Sequence, residues 1–175
     1  MMPLKEYVGN KKLFISRGMP GSGKSFTISK LVTESHIYSA DKFFINPTSG
    51  KYEFDINKRH QAHQKCISDT EAAMEEGVSP IGVDNTNLRW ALIKPYYLLA
   101  KQYGYDVEYV ESDSSWWKEI KDLLKNKTPE NIEKAVQISE SKNTHNVPSE
   151  TLRTFAKNWT PTEELAQFER MYEKF

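Results

Sequence analysis

Gly18-Met19-Pro20-Gly21-Ser22-Gly23-Lys24-Ser25 comes one residue after the apolar run Leu13-Phe14-Ile15-Ser16 and opens a segment, Ser25 to Glu34, with helical spacing at Phe26, Ile28, Leu31 and Val32. The octet fits G-x-x-x-x-G-K-[ST] in full, between a strand and a helix, which is where that pattern works. Gly18, Gly21 and Gly23 let the main chain approach oxygen atoms without side-chain obstruction, so that backbone N–H groups can enclose a phosphate. Lys24 is expected to reach the β and γ phosphates of ATP, and the Ser25 hydroxyl to hold magnesium. Gly18, Gly21, Ser22, Gly23, Lys24, Ser25 and Phe26 are therefore the expected ATP-binding residues. The competing reading is a glycine-rich turn that binds nothing. The lysine and serine after the last glycine, in the order that serves phosphate and metal together, speak against it.

Outward from this loop, strand-like and helix-like pieces alternate. His36 to Ala40 reads as a second strand, and Ile56 to Glu76 as a long helix with a stripe through Ile56, His63, Cys66, Ile67, Thr70, Ala73 and Met74, stopped by Gly77. Val78 to Val83 reads as the third strand. Asp84-Asn85-Thr86-Asn87 supplies capping side chains to a helix with Leu88, Leu92, Tyr96, Leu99 and Tyr103 on one face, which Pro95 is expected to kink or divide. After Gly104, Tyr105 to Val110 is the fourth strand. Helical segments follow around Trp116 to Asn126, Pro129 to Glu140, Ser149 to Trp159 and Thr162 to Tyr172. The expected fold is α/β, a parallel sheet flanked by helices in one domain over residues 1–175, with 112–160 as a helical lid region.

The chain has 175 residues with 38% hydrophobic and 12% aromatic content, enough for one core, and a mean hydropathy of -0.69. Twenty-four basic residues balance twenty-four acidic ones, which excludes a globally basic nucleic-acid coat. Residues 1–65 carry eleven basic and five acidic groups and residues 66–115 three and nine, so a charged partner would be held locally, near the first segment. A single Cys66 gives no internal disulfide or thiolate cluster. With no apolar leader and no long apolar run, a cytoplasmic protein without a membrane contact is expected.

Two strand ends carry acids. Asp41 closes Ser39-Ala40-Asp41 beside the phosphate loop and would take the proton of an attacking hydroxyl, an N-cap being the alternative. Asp84 follows the third strand, where such proteins anchor magnesium, and Asn85 and Asn87 sit on the same rim. His60 and His63, three apart on a helix, make a poor metal set without a matching carboxylate or thiol. Trp116-Trp117 would stack on a base or, more commonly for such a pair, fill a core.

These pieces together, GMPGSGKS, SAD, GKYEFD, AHQKC, VDNTNLRW and KNTHNVPSETLR in that order, resemble the polynucleotide-kinase-like P-loop family, and within it the kinase-like domain of the Nedd-four-binding proteins. The resemblance covers roughly Leu13 to Trp159. It implies a P-loop kinase sheet, Asp41 as the base activating a 5′-hydroxyl, and Asp84 as the acid after the third strand. It also implies a helical lid whose arginines cross the transferring phosphate. Here Lys142 stands where an arginine is common, with His145 or Arg153 as further lid cations, and a lysine is a point charge instead of a bidentate fork. Phe44 stands where end-healing members place an arginine for the acceptor phosphate, leaving Arg89 or Lys42 to compensate.

The expected function is a magnesium- and ATP-dependent kinase that passes the γ-phosphoryl group to a hydroxyl of a polynucleotide, at a 5′ end or a hydroxymethylated base, or of a nucleotide. Lys24, Asp41 and Lys142 would be catalytic, Asp84, Asn87 and Arg89 would meet the acceptor, and Ser25 and Asp84 would hold the metal. The expected partners are ATP and a nucleic-acid or nucleotide acceptor, and the sequence sets no oligomeric state. Two alternatives keep the loop: a small-metabolite kinase for sugars or nucleosides, and an ATP-binding interaction module without transfer.

Overall fold

Strand β1 (Lys12–Ser16) buries Leu13, Ile15 and Ser16 completely, as a strand with neighbours on both sides must. In the computed structural model, which describes residues 11–144 and 146–173, it pairs in parallel with β3 (Ile81–Val83) and with β4 (Asp106–Val110). Short β2 (Ile37–Tyr38) pairs in parallel with β3, giving the order β2-β3-β1-β4 among the described residues. The α/β class with an all-parallel sheet is as expected. The strands are shorter than the sequence suggests at β2 and β3; β3 begins at Ile81, directly after Pro80, which has no N–H to give to the ladder.

Helices cover both faces. Phe14 and Gly82, paired across β1 and β3, face α1 (Lys24–Ser29), where Ile28, Val32 and Ile37 cluster. A side chain at Gly82 would meet Ile28 Cδ1 at 3.1 Å, so this glycine admits the helix. Leu13, Ile15 and Ile81 face the other side, against Cys66, Ala73 and Met74 of α2 (Arg59–Glu75) and Ile93, Tyr96, Tyr97 and Ala100 of α3 (Trp90–Tyr103).

Three helical expectations need correction. The first helix ends at Ser29, leaving Phe26 and Leu31 exposed, since two turns expose a face to water when no element covers it. Pro95 does not divide α3, because the bond it removes is to the carbonyl of exposed Ala91, which water can satisfy. The buried face of α3 runs through Trp90, Ile93, Tyr96, Tyr97 and Ala100, with Leu92 on its exposed side.

Helices α4 (Ser115–Leu123), α5 (Pro129–Lys142), α6 (Ser149–Asn158) and short α7 (Leu165–Glu169) complete the described chain. The first three build a second core of Trp117, Ile120, Leu124, Ile132, Ala135, Val136, Leu152, Ala156 and Trp159, into which Met19 of the glycine loop inserts fully buried. The helical region therefore grips the glycine loop from its own core. No helix of the described residues is long and apolar enough to cross a membrane.

Candidate functional site

The carboxyl ends of β1 and β3 lie side by side, but the chain leaves them in opposite directions along the sheet, from β1 towards β2 and from β3 towards β4. A parallel sheet opens a crevice at such a switch point. The glycine loop leaves β1 here. Its Gly18 N–H donates to the Thr86 carbonyl at 3.1 Å, and the preceding Arg17 N–H to Val110 at 2.8 Å.

Beyond Gly18 the loop's carbonyls are held by the helical region. Ser139 Oγ donates to Pro20 O at 2.7 Å, Trp116 Nε1 to Gly21 O at 2.7 Å, and Ser114 Oγ to Ser22 O at 2.8 Å. With the carbonyls so engaged, the N–H groups of Gly21, Gly23, Lys24 and Ser25 have no acceptor among the described residues. Gly21 has φ 81° and Gly23 φ 97°, in the region that favours glycine. A Cβ on Gly21 would lie 2.7 Å from the Lys142 carbonyl carbon, and one on Gly23 2.7 Å from Ser112 Oγ. The result is a run of unpaired donors on a loop with left-handed glycines, the ingredients of an anion-binding nest.

The expected residues distribute as follows. Lys24 is half-buried at the start of α1, Ser25 is exposed beside it, and Phe26 is exposed with Lys30 Nζ 4.2 Å from its ring centre. Ser22 is buried, with its hydroxyl unpaired among the described residues. Asp84 directly follows β3, half-buried, and accepts from Ser16 Oγ at 2.7 Å at the end of β1. Asp41 is exposed on the turn after β2, where Tyr52 donates its hydroxyl to Oδ1 at 3.2 Å. Burial, together with the charge and hydrogen bond of Asp41, pushes the Tyr52 phenol up to about 12.

The expected capping role of Asp84 to Asn87 is corrected. Arg89, exposed, occupies the cap of α3 without a side-chain cap bond, and the polar quartet ties strand ends together instead. Asn85 Oδ1 accepts from the Ala40 N–H at 2.9 Å, holding the residue before Asp41, while its amide reaches Cys66 Sγ at 3.7 Å. Asn87, buried at φ 45°, donates to Ser16 O at 2.7 Å and Asn85 O at 3.3 Å. It is a strut under the crevice. Lys42 Nζ donates to the Ile37 carbonyl and pairs with Glu34 at 3.4 Å.

Of the cations expected in a lid, Lys142 ends α5 and lies exposed over Trp116, Nζ 4.6 Å from the ring centre, with its main chain against Gly21. Arg153 is held bidentately by Glu133, at 2.6 and 2.9 Å, and is thereby bound between α6 and α5. His145 lies outside the described residues. His63 is half-buried, and burial, then Arg59, hold its imidazole below the usual value against the pull of Asp41. Among the described residues no three His, Cys, Asp or Glu side chains gather as a metal site. Trp117 fills the core, edge to face with Trp159, and Trp116 serves the loop.

The residue that sequence reading misses is Arg17. It is fully buried and donates to the carbonyls of Asn87 at 2.8 Å, Leu88 at 3.0 Å and Thr160 at 2.6 Å, and to Thr162 Oγ1 at 2.7 Å. Its guanidinium also sits 4.3 Å from the Trp159 ring centre. Burial lowers it to about 10, with Glu111 opposing, so it stays charged at neutral pH. Thr162 in turn donates to Glu111 at 2.6 Å. Burial would raise the Glu111 carboxyl, but bonds from Thr162, Trp117 and Lys121 outweigh it and hold the group below its usual range. The only local signal was a charged residue between a buried strand and a glycine loop.

Comparison with known proteins brings relatives to this geometry. The chain is 39% identical over 116 residues to human NEDD4-binding protein 2, an alignment that spans 64% of this chain and 6% of that protein. It is 32% identical over 111 residues to mouse 2′,3′-cyclic-nucleotide 3′-phosphodiesterase, spanning 61% of this chain and 25% of the other. The rat protein of that name matches at 31%. No family model matches the chain. The chain thus spans a quarter or less of these relatives' own lengths.

Proposed function

We propose that the protein is an ATP- and magnesium-dependent kinase that passes the γ-phosphoryl group to a hydroxyl on a nucleic acid or nucleotide. The observation that carries this reading is the glycine loop at the sheet's switch point, its carbonyls turned to the helical region and its N–H groups unpaired. A relative named for acting on a cyclic nucleotide supports a nucleotide substrate class.

In this reading Gly18 to Ser25 enclose the triphosphate, and Lys24 neutralises charge that grows on the β and γ phosphates during transfer. Asp41 accepts the proton as the acceptor oxygen attacks phosphorus and ADP leaves. The Tyr52 hydroxyl fixes one Asp41 oxygen, leaving the other for the acceptor. Lys142, anchored over Trp116, supplies positive charge from the helical side. Ser25 and Asp84 offer a hydroxyl and a carboxylate, the hard oxygen donors that suit magnesium alongside phosphate oxygens. The metal, when bound, neutralises and orients the β and γ phosphates. In this reading Phe26, exposed beside Ser25, meets the nucleoside part of ATP.

The test is transfer of label from γ-labelled ATP to 5′-hydroxyl oligonucleotides, nucleosides and sugars offered in parallel. The reading expects label on a nucleotide-class hydroxyl, abolished by Lys24→Ala with the fold intact. Label on sugars alone would move the protein to the small-metabolite reading. Tight ATP binding with no transfer would make it a binding module.

A further inference from the structure

Backbone pairing between β2 and β3 runs out just before the two carboxylates. Tyr38 pairs with Val83, and the Asp84 N–H donates to the Tyr38 carbonyl at 2.8 Å. Past that bond a side chain takes over: the Ala40 N–H donates to Asn85 Oδ1 at 2.9 Å. Asp41 then opens a 3₁₀ turn, Asp41–Phe44, whose cap residue is Ala40, a side chain with no atom to hold it. Ala40 precedes Asp41 and Asn85 follows Asp84, so one amide ties together the two stretches of main chain that carry the carboxylates. That amide is itself oriented. A backbone N–H can only donate, so oxygen faces Ala40 and the nitrogen turns to Cys66 Sγ, 3.7 Å away on α2. Cys66 is 2% exposed, with buried Tyr96 of α3 beside it, and burial pushes its thiol up, so it meets the amide as a neutral group. One turn earlier on α2, Ala62 packs against Ala40 and Phe44.

We propose that Asn85 is a positioning residue: it sets where Asp41 stands relative to Asp84, and through Asp41 it governs the rate of phosphoryl transfer. In that second part the inference rests on the kinase reading. The backbone bonds from Tyr38 to Val83 and Asp84 already hold β2 in the sheet, so what the Asn85 bond adds is the last step from the strand to the turn that carries the base. Tyr52 fixes the Asp41 carboxylate, and Asn85 fixes the main chain beneath it. A shift of about 1 Å in a reacting group can lower a rate by about 10², far more than loss of one hydrogen bond costs the fold. The group of Asn85, Cys66 and Ala62 thus links two helix-facing contacts to the geometry of a strand end.

The test has two readouts. Hydrogen exchange of the Ala40 amide, followed by NMR, should be at least about tenfold faster in Asn85→Ala than in the wild type. Asn85→Asp, which keeps an accepting oxygen of the same shape, should retain the protection. Transfer from γ-labelled ATP to a 5′-hydroxyl oligonucleotide should fall roughly 10- to 100-fold in kcat for Asn85→Ala, with ATP affinity within about twofold of the wild type. In an Asp41→Asn background the same change should cost no further rate, because both act through one carboxylate. Cys66→Ala leaves Asn85 in place, guards against misfolding of Asn85→Ala, and should show both effects in smaller degree. Ala40 exchange equally fast in the wild type and Asn85→Ala, or a rate loss that adds in full to that of Asp41→Asn, overturns the proposal and leaves the kinase reading standing. Wild-type protein that transfers phosphate to no hydroxyl defeats the kinase reading and the governed rate with it; the tie from Asn85 to the Asp41 turn then stands or falls on the exchange result.

Discussion

Trp116 donates its indole N–H to the Gly21 carbonyl at 2.7 Å while its ring carries Lys142 at 4.6 Å, so one side chain sets both the loop's peptide plane and a cation beside it. Trp116→Phe keeps an aromatic face and removes the donor. Loss of one such bond costs about 1 kcal/mol of stability. ATP affinity, read by calorimetric titration, should fall more noticeably, by roughly 5- to 10-fold, because the freed peptide no longer holds its N–H neighbours in place.

Gly21→Ala should be more severe for binding than for folding. The residue sits at φ 81° and its new Cβ would press on the main chain of Lys142 at 2.7 Å. Left-handed backbone costs a non-glycine residue about 1–2 kcal/mol, and the contact adds to this by pushing α5 from the loop. A melting temperature lower by roughly 5 °C, with ATP binding weakened at least about tenfold, is the expected pair of results.

Arg17 is predicted to be a main structural support of the site. Arg17→Met leaves the carbonyls of Asn87, Leu88 and Thr160 without their buried donor, for a loss of about 3–5 kcal/mol by denaturant unfolding. Arg17→Lys keeps the charge but cannot span four acceptors, and should recover only part of that stability.

How far the sequence discloses this molecule follows from how local each signal is. The octet from Gly18 to Ser25 and the alternation of apolar runs with helical stripes lie within short windows, and they disclose the parallel sheet and the loop. Arg17 meets Thr162 across 145 residues, and no window contains both. Asn85 and Asn87 read as caps because their partners, Ala40 and Ser16, belong to other strands. Phe26 and Leu31 read as core because periodicity does not show that α1 stops at Ser29. The position of Asp41 just after β2 could be anticipated from the apolar run before it; its link to Tyr52 depends on a hairpin whose closure joins Ile45 to Tyr52.

Glu111 makes stability acid-sensitive. Its carboxyl is held below the ordinary value of 4.5, so just below that pH the unfolded chain binds more protons than the folded one. The stabilisation is therefore present above about 4.5 and lost as pH falls through the lower folded value. Melting temperatures across this window should decline for the wild type. Glu111→Gln, less stable at neutral pH, should show a shallower decline.

The measurement that bears most directly on the account is the rate at which Asp41→Asn moves the γ-phosphoryl group from ATP to a 5′-hydroxyl oligonucleotide, taken alongside its affinity for ATP. Removing a general base while sparing the glycine loop predicts a rate lower by roughly 10²- to 10⁴-fold at near-normal ATP affinity. A variant that transfers phosphate as fast as the wild type would contradict it.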